Sequence, residues 1–157
     1  RGQRYFASAV GEVNVVEKMK QENAVIGGEG NGGVIYPELH YGRDALVGIA
    51  LFLSLLAKSG KTCSALRASY PNYEISKNKM ELTPEMNVDL ILEKMAKKYA
   101  DCEVLTTDGV KIMFKDEWVH LRKSNTEPII RIYSESRDMA AANALATKIM
   151  NEIKQLL

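Results

Sequence analysis

Two short polar stretches gather the groups in this chain that could do chemistry. The first, Arg122-Lys123-Ser124-Asn125-Thr126-Glu127-Pro128, packs two cations, two hydroxyls and an amide between two alternating apolar runs. A plain hairpin turn needs a glycine or an Asn-Gly pair, and this connection has neither. Arg122 offers a planar fork of donors that matches phosphate oxygens in pairs. Ser124 and Thr126 add hydroxyls, and Asn125 tolerates the left-handed turn that aims successive backbone N–H groups at one anion. The chemistry is anion binding; the plainer alternative is a capped turn with a surface arginine.

The second stretch is Gly27-Gly28-Glu29-Gly30-Asn31-Gly32-Gly33, with five glycines in seven residues. Such a loop lets a ligand approach the backbone closely. Gly28, Gly30 and Gly33 satisfy G-x-G-x-x-G by position, but VIYPELHYG with Pro37 follows where a phosphate-binding helix would open. The Walker pattern also fails, because no Lys-Ser or Lys-Thr follows the last glycine. What remains is one carboxylate, Glu29, and one amide, Asn31. Glu29 can accept from two vicinal hydroxyls and Asn31 can donate and accept, which suits a polyol such as a sugar. A solvent-exposed loop without a partner is the alternative.

These loops need elements to hold them. The first third reads strand, helix, strand, loop, helix: YFASAV as a short strand, EVNVVEKMKQEN as a helix with Val13, Val16 and Met19 at helical spacing, and AVI at 24–26 as a second buried strand. Asp44 is placed to cap a following helix and Gly60 to stop it. The 13 residues ALVGIALFLSLLA inside that helix are too few to span a membrane and predict a buried core helix. SALRASYPNY has no periodicity and reads as a linker.

Beyond the linker the pattern changes. EISKNKMEL alternates, and NVDLILEKMAKKYA puts Val88, Ile91, Leu92, Met95 and Tyr99 on one helical face. CEVLTT, Asp108-Gly109 and VKIMF form a hairpin signal, EWVHL and IIRIYSE give further strands, and a last helix starts near Asp138 with Ala142, Leu145, Ile149, Ile153 and Leu156 inward. The expected fold is therefore an α/β half-domain (strand–helix–strand–helix) over residues 1–70. Residues 71–157 then form a small α+β domain, a four-stranded, mainly antiparallel sheet with two helices on one face.

The chain has 157 residues, 46% hydrophobic and 26% charged, with a formal net charge of +1, which argues against a nucleic-acid or membrane-surface binder. Cys63 and Cys102 lie far apart with no metal-ligand spacing, which favours a reducing, cytoplasmic setting. No signal peptide is visible, and with Arg1 in place of an initiator methionine the chain reads as part of something longer.

Gly28-Glu29-Gly30-Asn31-Gly32 and Arg122-x-Ser124-Asn125-Thr126-x-Pro128, in this order, together with VGEVNVVEKM at 10–19 and PELHYGRDAL at 37–46, resemble the α-D-phosphohexomutase family. Its members are phosphoglucomutase, phosphomannomutase and phosphoglucosamine mutase. The resemblance spans essentially the whole chain and implies part of the family's third domain plus its fourth. It implies sugar binding by Glu29 and Asn31 with Gly28, Gly30 and Gly32, and by Glu12 more weakly. It implies phosphate binding by Arg122, Ser124, Asn125 and Thr126, with Arg131 as a weaker candidate. Arg43 is a weak candidate for substrate contact, His40 is open between a substrate and a structural role, and His120 reads as a structural sheet residue. The implied partners are a phosphorylated hexose and missing N-terminal domains of the same chain, with neither nucleic acid nor membrane. The implied activity is that of an isomerase, an intramolecular phosphotransferase acting through a phosphoserine, a bisphosphate intermediate and Mg²⁺. The family's serine loop and Asp-rich magnesium loop find no match here, so no catalytic or metal residue is expected in this chain. Asn125 leans toward the phosphoglucomutase/phosphomannomutase type, whereas VGE at 10–12 is similar to the VGD of phosphoglucosamine mutases. A stand-alone phosphosugar or anion-binding module is the alternative from another class.

Overall fold

The computed structural model describes residues 4–83, 86–124 and 126–156. The chain divides into two compact units, residues 1–71 and 72–157.

In the first unit the elements are α1 (Glu12–Glu22), β1 (Gly27–Gly28), β2 (Val34–Tyr36), β3 (His40–Arg43), α2 (Ala45–Ser59) and α3 (Cys63–Ala68). The three strands form an antiparallel meander in the order β1-β2-β3, so GGEGNGG is the hairpin loop between β1 and β2. Helix α1 ends at Asn23, which takes the left-handed conformation (φ 50°) and returns its N–H to Met19 O. Asp44 caps α2 by accepting from Val47 N at 3.0 Å, and Gly60 (φ 63°) closes it.

Several expectations fail in this unit. Neither YFASAV nor AVI forms a strand, because a strand exists only as a paired ladder and β1 pairs through Gly27 and Gly28 instead. SALRASYPNY is not a bare linker: Thr62 accepts from Ala65 N at 3.2 Å and caps α3. Of the inward stripe read for α1 only Met19 is buried, and Val13 is 71% exposed. Helix α2 is not a buried core helix. None of its residues is buried, since it meets β2 through Gly48 against Val34 and, among the described residues, no second layer covers its other apolar sides.

The second unit contains β4 (Glu74–Glu81), α4 (Val88–Lys98), β5 (Glu103–Leu105), β6 (Val110–Met113), β7 (Trp118–Lys123), β8 (Ile129–Ser136) and α5 (Met139–Gln155). The sheet has five strands in the order β4-β8-β7-β6-β5, all neighbours antiparallel, where four were expected; all five strand segments read in this unit, EISKNKMEL to IIRIYSE, join it. Strand period two puts Val110, Ile112, Val119, Leu121, Ile130 and Ile132 on one face. There they meet Val88, Ile91, Leu92 and Met95 of α4 and Leu145, Ile149 and Ile153 of α5 in one core. The expected stripes of both helices are thus the ones that pack. Ser134, fully buried, donates to Ala142 O at 2.7 Å, and Ser76 donates to Asn143 Oδ1 at 2.5 Å, so small hydroxyls let α5 lie close on β8 and β4. Asn87 and Asp138 cap α4 and α5. The Tyr99 hydroxyl reaches Glu152 Oε2 at 2.9 Å, and burial followed by that bond raises it well above the usual phenol range.

Two consequences are measurable. Ile149 is fully buried between α5 and the sheet. Ile149→Ala is expected to cost about 2–5 kcal/mol in urea unfolding of the second unit, the usual range for an aliphatic core truncation. Gly109, in the turn between β5 and β6, has φ 71°, and a Cβ there would run into the carbonyl of Leu121. Gly109→Ala should destabilise by roughly 1–3 kcal/mol from the left-handed backbone alone, read by the same unfolding curve.

Candidate functional site

In the first unit the glycine-rich loop is closed on itself. Glu29 N donates to Gly33 O at 3.1 Å and Gly32 N to Glu29 O at 3.1 Å. Asn31 Oδ1 accepts from Gly33 N at 3.0 Å, and its two Nδ2 donors have no partner among the described residues. Gly28 sits in β1 where a Cβ would meet the carbonyl of Gly33, Gly30 stands in open space, and Gly32 takes φ 94°, which explains the glycines by backbone approach and handedness.

Arg43, at the end of β3, links the loop to α1. Its backbone N donates to Glu12 Oε1 at 3.1 Å and its Nε to Glu12 Oε2 at 2.8 Å. Its Nη1 lies 3.5 Å from Glu29 Oε2. These bonds hold the Glu12 carboxyl below the usual carboxylate range, the backbone N–H of Arg43 first among the causes. Glu12, Asn31, Gly32, Gly33 and Arg43, with Asp44, line a concavity of about 610 Å³. Glu12 and Glu29, read separately in the sequence, therefore belong to one cluster. His40, open between two roles in the sequence, stands at the helix cap, its Nε2 3.1 Å from Oδ2 of Asp44.

In the second unit the loop 124–128 joins β7 to β8. Ser124 N donates to Ile129 O at 3.0 Å and Ile129 N to Glu127 O at 2.8 Å, which pins the loop's two ends. Ser124 is buried, its Oγ is 3.5 Å from Thr126 Oγ1, and Thr126 N points at the same Oγ at 3.5 Å. Asn125 lies outside the described residues.

At the loop's base the register places Arg122 directly across from Arg131, and Lys79 of β4 across from Arg131 on its other side. Three cations thus run in a row over the sheet face that carries no helix. Like charges directly opposite repel, and two carboxylates offset this. Asp108 Oδ2 takes Arg122 Nη1 at 3.1 Å, and Glu127 Oε2 takes Arg131 Nη2 at 3.3 Å. The Nε of Arg131 is buried without a partner among the described residues. His120 is held by its Nε2 against Asp108 O at 2.5 Å, a structural place, as expected.

The structure thus brings Arg122 together with Arg131, and Ser124 together with Thr126. Among the described residues no hydrogen bond joins the guanidinium pair to the hydroxyl pair. Sequence reasoning treated Asp108 only as a turn residue; its signal was the Asp-Gly turn beside a strand ending in arginine. Among the described residues no group of three or more His, Cys, Asp or Glu side chains could hold a metal ion. The described residues therefore do not fit a Mg²⁺ site. Among the described residues no helix is long and apolar enough to cross a membrane.

Residues 1–73 match the family profile described as "Phosphoglucomutase/phosphomannomutase, alpha/beta/alpha domain III", and residues 79–152 match "Phosphoglucomutase/phosphomannomutase, C-terminal domain". A phosphoglucosamine/phosphogalactosamine mutase of Sulfurisphaera tokodaii is 41% identical over 94% of this chain and 32% of its own length. A phosphoglucomutase/phosphomannomutase of Thermococcus kodakarensis is 38% identical over 96% of this chain and 34% of its own length. The crystal structure of a phosphoglucomutase/phosphomannomutase family protein from Burkholderia thailandensis superposes with a TM-score of 0.68 at 26% identity, covering 92% of this chain and 31% of that one. The chain spans about a third of the length of the curated relatives it matches. Two profiles of one family in consecutive order, with relatives aligned along nearly all of both units, settle the kinship: this chain belongs to the α-D-phosphohexomutase family, as its domain III and C-terminal domain.

Proposed function

We propose that this chain is the substrate-binding part of a cytoplasmic phosphohexomutase that interconverts hexose 1-phosphate and hexose 6-phosphate. In this reading Glu29 and Asn31 take sugar hydroxyls. Arg122, with Ser124, Asn125, Thr126 and Arg131, takes the phosphate that is not being transferred. The observation that carries it is the pair of guanidiniums set side by side at the base of a loop with two facing hydroxyls, Arg122 across from Arg131 and Ser124 beside Thr126. Guanidinium forks and hydroxyls recognise phosphate oxygens without reading the carbon that bears them. Such a site serves both orientations of a bisphosphate intermediate equally, as the reaction requires.

Positioning is the chain's contribution, since fixing a reactant in line removes much of the entropic barrier to transfer. The phosphoserine and Mg²⁺ of the reaction belong, on this reading, to other domains of the whole protein, and the residues here bind and orient. The hexose is that of a phosphoglucomutase/phosphomannomutase, with an amino-sugar phosphate as second reading. Relatives of both names stand at comparable identity, so kinship favours neither.

Titration of the ¹⁵N-labelled chain with inorganic phosphate should shift the amides at 122–126. Arg122→Ala should weaken that response about tenfold or more, the scale of a charge-assisted bond to a dianion. Glucose, mannose and glucosamine 6-phosphates should also shift the amides at 29–33, and Glu29→Ala should abolish those shifts while leaving the phosphate response intact. No shift at either loop with any of them overturns the reading.

A further inference from the structure

Glu12 and Glu29 come from different parts of the first unit, one opening α1 and the other in the β1–β2 loop, yet they treat Arg43 differently. Glu12 spends both carboxylate oxygens on Arg43, at 3.1 and 2.8 Å. Glu29 meets the same residue through Oε2, at 3.5 Å, and among the described residues its Oε1 has no hydrogen-bond partner, which suits it to a hydroxyl. Arg43 also holds the far end of the loop. A Cβ built on Gly33 would lie 2.6 Å from Arg43 Cδ and 3.2 Å from its Cγ, so the aliphatic stem lies flat over that glycine. One side chain therefore touches the loop at its acidic residue and at its closing glycine. Its own direction is set by the carboxylate of α1, which takes the backbone N–H and the Nε of Arg43 while Nη1 faces Glu29, two side-chain donors on one rigid plane that lysine does not supply.

We propose that Arg43 is the positioning residue of the sugar loop, and that Glu12 acts on a bound hexose through Arg43 rather than by touching it. This rests on the reading of Glu29 and Asn31 as hydroxyl-binding groups. It assigns Glu12 a different part from the direct sugar contact that family resemblance implies. Arg43 fixes the Glu29 carboxylate against rotation and holds the loop backbone in the shape that presents Asn31.

The test is a double-mutant cycle on the whole chain, following the amides at 29–33 during titration with glucose 6-phosphate, with unchanged signals at 47–68, in α2 and α3 of the same unit, as proof that each variant's first unit is folded. Glu12→Gln and Arg43→Gln are each expected to weaken the sugar-loop response about fivefold to tenfold, and the double variant to be no weaker than Arg43→Gln, since residues acting as one unit are not additive. Arg43→Lys keeps the charge but not the fork and should recover less than about twofold of the loss. Additive losses would show that Glu12 meets the sugar itself. Full recovery with lysine would reduce Arg43 to a mere charge. Either result overturns the proposal.

A separate measurement needs no ligand. Backbone order parameters at 29–33 should fall from rigid values to below about 0.6 in Glu12→Gln and in Arg43→Gln alike. A loop that stays rigid in either variant refutes the relay. A wild-type chain that ignores every hexose phosphate but loses loop order in both variants refutes the substrate and keeps the relay.

Discussion

An antiparallel ladder with one apolar face admits a single register, and the arrangement at the second unit's polar loop follows from that constraint. Because side chains alternate with period two, burying Val119, Leu121, Ile130 and Ile132 against two helices forces Trp118, His120 and Arg122 of β7, and Arg131, Tyr133 and Glu135 of β8, to the other face. A slip by one residue would put guanidiniums in the core. The adjacency of Arg122 and Arg131 is therefore maintained by hydrophobic packing behind the sheet. The charges themselves oppose it, and Asp108 and Glu127 make the opposition tolerable.

The first unit is organised on another basis. Its buried apolar residues among those described are only Met19, Ile35 and Leu66, too few to dictate the placement of a loop. There a bridging guanidinium does what the core does in the second unit. Ion pairs as exposed as these contribute little net stability. Their value is geometric: Arg43 ties together three segments that meet nowhere near one another in sequence.

What could be read from residue order, and what could not, divides along this line. The stripes of α4 and α5, the caps Asp44 and Asp138, the Asp108-Gly109 turn and the two loops are local or periodic signals, and the structure has them where the pattern puts them. Periodicity misleads when burial depends on neighbours. YFASAV and AVI have strand composition without a ladder to join, and α2 has core composition without a second layer. Helix α3 was hidden by its length of six residues, too short for a period to show, with Thr62 as its only marker. Arg43 was legible as a polar residue near the site but not as its hub, because the bond to Glu12 spans 31 positions and no local pattern encodes it. The partnership of Asp108 with Arg122 was missed for the same reason, since it crosses 14 positions.

On the proposed reading of Arg122 as a phosphate-binding residue, that partnership bears on selectivity. Arg122 is not a bare charge awaiting any counter-ion: a tethered carboxylate already sits 3.1 Å from one of its nitrogens. An incoming anion must compete with an acid group that never diffuses away. Chloride, acetate and the isolated phosphates of a polyelectrolyte bring one charge each and gain little from the exchange. A phosphate monoester, doubly ionised above its second pKa of about 6, brings two charges and three acceptor oxygens to the same place. In an anion site of the proposed kind, the aspartate is a threshold that favours compact dianions over singly charged ions.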